Sequence, residues 1–452
     1  MIKGRRDLLH EIAQIITLSR PDHKDIHGLP EMGKSTLLRY IAQPEFIEAY
    51  REHFLGDFRR EPHRLFILYV SGWLGSVHPL VVFGREFYRH YDAYRARLRD
   101  EHQTDDLPDL DEPELADHDG DQALEVMEPH IRQLVAKGVR PVFLLDEFDR
   151  EHAFQVLSPE QAGRLSTWMA YCSFIFATER LLEKVNPSAK KGSPLFKRLQ
   201  QTFVREYIPE EAAIYVVDLL KGFGTGLPDK DIDYMAEQSG GFPTLLLLAG
   251  RALWDMRQRM KLPPEPDADP LSEKARAVLT SRLAAEFKRP FNAFYQAVDL
   301  NQRQALIEQA RQEEAQGGES PGVPSGPRYN LLSSLEQYGL IQVDDDGVMR
   351  LFAPLFRAFL LQQEPTKPAK EAETGLTGLQ ANLYHAFVNK PDAVLTFDEL
   401  GEKVWGRRPS DEEEKRRIHI AVSKLRKQLE ESDGGGRIIS QRSLGYRFVP
   451  AR

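Results

Sequence analysis

The run Gly28-Leu29-Pro30-Glu31-Met32-Gly33-Lys34-Ser35 fits the pattern GxxxxGK followed by Ser or Thr. The spacing serves phosphate chemistry. Glycines at both ends let backbone N–H groups turn inward around a phosphate, with Glu31 and Met32 in the loop between them. Lys34 reaches the outer phosphoryl oxygens, the Ser35 hydroxyl ligates Mg²⁺, and the helix entered through Thr36 adds its dipole. The helix continues as an apolar-striped run, Leu37 to Ala42, as this pattern requires. The strand ahead of it, Lys24 to His27, is short and polar.

A second constellation completes the first. Val142-Phe143-Leu144-Leu145 is an apolar strand ending in Asp146-Glu147. Asp146 is expected to hold the Mg²⁺ that Ser35 also ligates, and Glu147 to orient and polarise an attacking water. Alone, an Asp-Glu pair after a strand reads as the start of a polar loop. Together with the phosphate loop it points to slow, Mg²⁺-dependent ATP hydrolysis. The neighbouring run Ser173 to Thr178 ends in Glu179-Arg180. Thr178 is a candidate sensor of the γ-phosphate, and Arg180 a sensor, an arginine finger or a plain surface ion-pair residue. Arg198 is a weaker candidate for a finger acting in trans. Cys172, the single cysteine, excludes a disulfide within the chain and reads as a buried inert thiol.

These residues need a scaffold. Residues 64–70, 141–145 and 173–178 are short continuous apolar runs between helical segments, which predicts a parallel sheet covered on both faces. Pro209 to Met256 reads as helical throughout, a lid following the α/β core. Three Pro-, Gly- and charge-rich stretches, 262–270, 316–328 and 363–375, read as linkers. From Asp100 to Asp121 there are eleven Asp/Glu and no Lys/Arg, which reads as a solvated, mobile insertion. Its Asp117-to-Asp121 run fails calcium-loop spacing. Asn330 to Leu340 is a helix stopped at a glycine. Ile341 to Val343 and Val348 to Phe352 flank the turn Asp344 to Gly347 as a hairpin. Helices followed by a two-stranded wing predict a winged helix. Its acidic wing argues for packing rather than for gripping phosphates.

Gly4-Arg5-Arg6-Asp7, the phosphate loop, Leu145-Asp146-Glu147, Ala177-Thr178-Glu179-Arg180 and Ser239-Gly240-Gly241-Phe242-Pro243 together resemble AAA+-like ATPases of the STAND and origin-recognition-like groups. The resemblance spans about the first 260 residues and the winged helix after them. It implies that Arg5 lies near the nucleotide base and that Pro243, in the lid, contacts the nucleotide.

The chain's 452 residues suit two to four domains. Its net charge of −9 is uneven: from Leu376 onward 14 Lys/Arg face 11 Asp/Glu, while the remainder is acidic. A basic terminal module suits an anionic partner. That module, with Val404-Trp405-Gly406, Lys424-Leu425-Arg426-Lys427 and Gly445-Tyr446-Arg447-Phe448, resembles the OmpR/PhoB-type winged-helix DNA-binding domain. Periodicity agrees independently. Ile418, Val422, Leu425 and Leu429 form one apolar stripe, and Arg416, Ile420, Ser423, Lys424 and Lys427 fall opposite it. Arg417 belongs to the same basic helix, and Arg442 and Arg447 on the closing hairpin are placed to meet phosphates or the minor groove. The acidic run Asp411 to Glu414 just ahead of the helix would repel phosphates unless it caps the helix.

The expected architecture is an α/β P-loop NTPase core at 1–208, a helical lid at 209–260, a winged helix at 271–362, a linker at 363–375 and a second winged helix at 376–452. The leading functional reading is a self-assembling, ATP-dependent regulator that binds double-stranded DNA. Its rival is an ATPase subunit of a mobile-element or anti-phage defence machine whose terminal winged helix docks a protein. No signal peptide is evident. The most apolar stretch, Phe242 to Leu253, is broken by Pro243, Thr244 and Arg251, so a cytoplasmic chain without membrane contact is expected.

Overall fold

The computed structural model describes residues 5–73, 75–102, 107–110, 113–150, 153–186, 198–221, 227–263, 265–316, 327–344, 347–363, 383–384, 386–387, 394–405, 412–431, 437–441 and 445–449. The chain divides into two units, Met1–Gln362 and Gln363–Arg452. The expected linker at 363–375 lies, apart from Gln363, outside the described residues, as do residues 317–326 of the linker before it.

The first unit opens with α1 (Arg6–Ile15), β1 (His23–His27), α2 (Lys34–Ile41), α3 (Pro44–Tyr50), β2 (Leu65–Val70) and α4 (Pro79–His102). Then come α5 (Gly120–Ala136), β3 (Arg140–Asp146), α6 (Pro159–Trp168), β4 (Ser173–Thr178), α7 (Leu182–Val185) and β5 (Leu199–Phe203). The five strands form one parallel sheet in the order β2-β3-β4-β1-β5. Side chains alternate across it with the period of two that a strand imposes. Phe66, Leu68, Phe143, Leu145, Phe174 and Phe176 enter a core shared with α4, α5 and α6. Leu65, Val142, Leu144, Ile175 and Ala177 enter the core on the other face, with α1 and α2. Both faces are covered, which is why the strands read as continuous apolar runs.

β1 breaks that pattern. All five of its residues, four of them polar, are buried beside β4 and β5. Each polar side chain meets a partner. His23 Nδ1 accepts from Phe174 N–H at 3.3 Å, and Lys24 donates to Thr202 Oγ1 at 2.8 Å and pairs with Glu11. Asp25 accepts from Thr178 Oγ1 at 2.7 Å. His27 Nδ1 lies 3.2 Å from the same hydroxyl. A polar strand is tolerable inside the sheet, between β4 and β5, because its groups are satisfied there.

The lid is α8 (Pro209–Lys221), α9 (Asp229–Ser239) and α10 (Pro243–Met260), separate helices rather than one continuous run; Gly240 and Gly241 adopt positive φ at the second break. The first unit ends with α11 (Glu273–Glu286), α12 (Lys288–Ala297), α13 (Leu300–Ala315), α14 (Pro327–Glu336), the hairpin β6 (Ile341–Val343) and β7 (Met349–Leu351), and α15 (Pro354–Leu361). Phe242 from the lid stacks near Phe352 after the hairpin, with ring centroids 4.3 Å apart.

Two readings, one of a linker and one of a mobile insertion, need correction. The stretch 262–270 is strapped down: buried Arg257 donates to Pro263 O at 2.8 Å and Asp269 O at 3.1 Å. The described part of the acidic insertion is also anchored. Leu107, Leu110 and Leu115 are buried, Arg95 pairs with Asp109, Arg85 with Asp117 at 2.7 Å, and Asp119 caps α5 by accepting from Gln122 N–H at 2.8 Å. Three leucines and two arginines reached from α4 outweigh the surplus of acid.

The second unit contains β8 (Val394–Thr396), α16 (Phe397–Trp405), α17 (Glu412–Glu431) and the hairpin β9 (Arg437–Gln441) and β10 (Gly445–Val449), its strands ordered β8-β10-β9. Thr396 and Glu399 cap α16 reciprocally. Among the described residues no helix is long and apolar enough to cross a membrane.

Candidate functional site

The phosphate loop joins β1 to α2 at the C-terminal ends of the strands, the usual ligand edge of an open α/β sheet. Leu29 and Met32 sink their side chains into the core and anchor it. Gly33 takes φ 81° as the N-cap of α2, a conformation that glycine adopts without penalty. At Gly28 a Cβ would come 2.9 Å from Val204 O, so only glycine fits. Glu31 also has positive φ, 62°, and its carbonyl accepts from Thr244 Oγ1 at 2.8 Å, which ties the lid helix α10 to the loop. Lys34 is buried and donates to Gly28 O at 2.8 Å and Leu29 O at 2.7 Å. Burial lowers its pKa, while Glu179, Asp149 and Asp146 favour its charged form.

Asp146 ends β3 and is buried. Its carboxylate accepts from Tyr69 Oη at 2.7 Å, and its carbonyl from Trp73 Nε1 at 2.7 Å. Glu147 turns away with φ 53°, its N–H bonded to Ala177 O at 2.9 Å. Its half-exposed carboxylate pairs with Arg150 at 2.9 Å. Asp149 is buried and accepts from the backbone N–H groups of Glu179 and Arg180 at 3.1 and 2.9 Å. The Arg180 side chain folds back onto Asp149. Burial raises the pKa of Glu179, against the nearby charges of Lys34 and Arg150.

These groups surround one cavity of about 230 Å³. Glu31, Gly33, Lys34, Ser35 and Thr36 line it from the loop, Asp146, Glu147, Asp149 and Arg150 from the end of β3, Thr178 and Glu179 from the end of β4, and Thr244 from the lid. Five acidic and two basic residues thus line it. That surplus of negative charge suits a divalent ion.

Other expected residues stand outside the cavity. Gly28 and Met32 shape the loop from behind it, Pro243 is buried at the first turn of α10, and Arg180 is held on Asp149. Arg5 lies over the Tyr207 ring at 4.8 Å, and its Nη2 has no hydrogen-bond partner among the described residues. Burial lowers its pKa. Arg198 donates to Ser166 O at 3.3 Å and lines a separate cavity beside His23, at the N-terminal ends of the strands. Because the strands are parallel, that is the edge away from the phosphate loop. Thr244, Glu179, Arg150 and Asp25 were not singled out from the sequence. Thr244 follows Pro243 directly and Glu179 follows Thr178, so adjacency was their only signal.

In the second unit Ile418, Val422, Leu425 and Leu429 of α17 are buried, while Arg416, Ile420, Ser423, Lys424 and Lys427 are exposed. Arg447 on β10 is half-buried. Arg426 donates to Ser440 Oγ on β9 at 2.9 Å, bracing the helix against the hairpin. The Arg417 side chain and Arg442 lie outside what the structure describes.

The first unit therefore has the α/β fold of P-loop NTPases. Residues 371–448 match the family described as transcriptional regulatory protein, C terminal, the OmpR/PhoB-type winged helix. A Walker-type ATPase of Pyrococcus abyssi is similar in structure, with 13% identity, a TM-score of 0.48, and coverage of 79% of this chain and 96% of that one. The ORC2 protein of Aeropyrum pernix, in ADPNP–ADP complexes, is 14% identical with a TM-score of 0.44, covering 79% and 93%. The ORC1 protein of the same organism, in complex with DNA, is 16% identical with a TM-score of 0.34, covering 81% and 94%. No curated protein matches the chain.

Proposed function

We propose that the protein is an ATP-dependent DNA-binding regulator: the first unit binds and slowly hydrolyses ATP·Mg²⁺, and the second binds double-stranded DNA. The observation that carries the first half is the meeting of Lys34, Ser35, Asp146, Glu147 and Thr178 around one cavity. The matched family and the basic exposed face of α17 support the second half.

Each residue has a distinct task. Lys34 exchanges the carbonyls of Gly28 and Leu29 for β- and γ-phosphate oxygens. The α2 N-terminus, opened by Gly33, presents the N–H groups of Ser35 and Thr36 to the phosphates. Among the described residues no group of three or more His, Cys, Asp or Glu stands ready to hold a metal alone. Mg²⁺ suits such a site, because it is commonly held by one or two carboxylates plus substrate phosphates. Ser35 and Asp146 would hold it here, with Asp146 oriented by Tyr69. When bound, the ion supplies Lewis-acid stabilisation of the transferring phosphoryl group. Glu147 orients and polarises the water, with Arg150 paired to its carboxylate at 2.9 Å. Arg5 and Pro243 border the base side of the nucleotide, and Arg180 senses the γ-phosphate through Asp149.

ATP binding assembles copies of the chain, and assembly places several winged helices on one duplex. Linked modules of modest affinity then bind strongly through effective concentration. Arg416, Arg417, Ser423, Lys424, Lys427, Arg442 and Arg447 carry the DNA contacts.

The test is nucleotide-dependent duplex binding by wild type and Lys34→Ala, with molecular mass measured with and without ATP. Lys34→Ala is expected to lose nucleotide binding, assembly and the ATP-dependent part of duplex affinity together. Duplex binding that ignores ATP in the wild type would overturn the coupling.

A further inference from the structure

Asp25 has no task in the scheme above. It is a carboxylate in the middle of β1, 1% exposed, directly behind the loop that meets phosphate. Its observed partner is the Thr178 hydroxyl, which donates its proton to Asp25 Oδ1 at 2.7 Å. Thr178 in turn lines the cavity. A hydroxyl has one proton to donate and two lone pairs to accept with. While that proton points at Asp25, Thr178 has none to offer a γ-phosphate oxygen.

We propose that Asp25 is a positioning residue that sets the direction of the Thr178 hydroxyl, and that engagement of a γ-phosphate by Thr178 is coupled to uptake of one proton by Asp25. The inference rests on the nucleotide-binding reading. The balance is simple. Thr178 rotates its O–H from Asp25 to a phosphate oxygen. Asp25 takes one proton from solvent and, now neutral, donates it to Thr178 Oγ1. His27 Nδ1, 3.2 Å away, meets the other lone pair. Every hydrogen-bonding site of the threonine is then used, and no heavy-atom bond forms or breaks.

The surroundings make protonation the accessible route. An ionised Asp25 that lost the Thr178 proton would be buried without that partner, which is costly. Asp25 is already pushed up to about 7, by burial first. The Thr178 hydrogen bond opposes that rise, the Asp149 charge adds to it, and Lys34 opposes it. Losing the Thr178 bond removes an influence that favours the ionised form, so the carboxyl rises further.

The sign of the pH effect follows. ADP lacks the γ-phosphate and leaves Thr178 on Asp25. The preference for a non-hydrolysable ATP analogue over ADP grows as pH falls toward 7, by up to about tenfold per unit above the pKa of Asp25. The terminal phosphate itself titrates near about 6 and is more charged at higher pH, so its own bias runs the other way.

The full chain with Mg²⁺ is titrated with the ATP analogue and with ADP between pH 6.5 and 8.5, by calorimetry in two buffers of different ionisation enthalpy. Above pH 7 the wild type is expected to take up more protons, by a fraction approaching one, with the analogue than with ADP. Asp25→Asn and Thr178→Val should remove that difference, and Thr178→Ser should restore it. Equal proton uptake for the two nucleotides, or a difference that persists in Asp25→Asn, overturns the inference. The wild-type measurement decides even if a variant fails to fold. If neither nucleotide binds the wild type at all, the nucleotide-binding reading fails and this inference falls with it.

Discussion

On the proposed function, hydrolysis turns on Glu147. It sits in the left-handed region, φ 53°, and its backbone is held there by Ala177. A non-glycine residue in that region stores strain, and strain persists where the surroundings determine it. Here it swings the carboxylate off the line of β3 toward Arg150. Glu147→Gln keeps the shape and removes the base, so nucleotide should stay bound while turnover falls by roughly 10²–10⁴. Single-turnover hydrolysis beside nucleotide affinity checks this. Should hydrolysis survive, Glu179 is the carboxylate to examine next, since Asp149 is committed to two backbone N–H groups. His23 gives a different readout. Burial depresses its pKa to about 4. A group depressed in the folded state stabilises the fold above its unfolded pKa, about 6.5, and loses that contribution as pH falls toward 4. Stability should therefore drop by on the order of 2–3 kcal/mol across that window. His23→Gln should flatten the drop in urea titrations at pH 4.5 and 7.

At the scale of elements, two helices carry clear expectations. Arg257 on α10 and Asp231 on α9 are both buried and 2.8 Å apart. Asp231 also accepts from Leu271 N–H at 3.0 Å, and Arg257 straps the 262–270 loop. Arg257→Ala leaves a buried carboxylate with weaker pairing, from Arg276 at 3.3 Å. Breaking such a pair typically costs about 3–5 kcal/mol. The urea midpoint should fall accordingly. In α17, Lys424 and Lys427 lie opposite the buried stripe. Replacing both with Ala removes no core volume, and Ala favours helix. For each of the two that neutralises a phosphate, the slope of log K against log salt should flatten by about 0.9. Duplex binding at several salt concentrations reads this directly. Unchanged affinity and slope would mean that this face does not meet DNA, and the docking alternative would take its place.

At the scale of the whole chain, the division between Gln362 and Gln363 separates two hydrophobic systems. The lid and the first winged helix share the core of the first unit with one face of its sheet. The second unit has its own core, built on Leu400, Ile418, Val422, Leu425, Ile438, Tyr446 and Phe448. Deleting residues 376–452 removes no side chain from the first unit's cores. The truncated chain should bind nucleotide with unchanged affinity and lose most duplex affinity. Paired titrations of the two chains with nucleotide and with duplex test this. Loss of nucleotide affinity on truncation would show that the terminal module supports the ATPase unit.

Local spacing was enough to mark the phosphate loop, the Asp146-Glu147 strand end and the two faces of α17. Each of these is a pattern over a few consecutive residues, and each states its own geometry: glycine where the backbone turns, carboxylates at a strand tip, apolar residues every third or fourth position. What the sequence left open was set by distant partners. The polar strand β1 lies inside the sheet because Glu11 on α1, and Phe174, Thr178 and Thr202 far along the chain, satisfy its side chains. The acidic insertion and the Pro-rich loop after α10 are held by arginines reached only once the helices have packed. Arg198 and the phosphate loop occupy opposite ends of the strands, a fact that strand order and direction alone decide. Periodicity records which face of an element is buried; it carries no record of which remote residue will neutralise a buried charge, and that choice belongs to the tertiary structure.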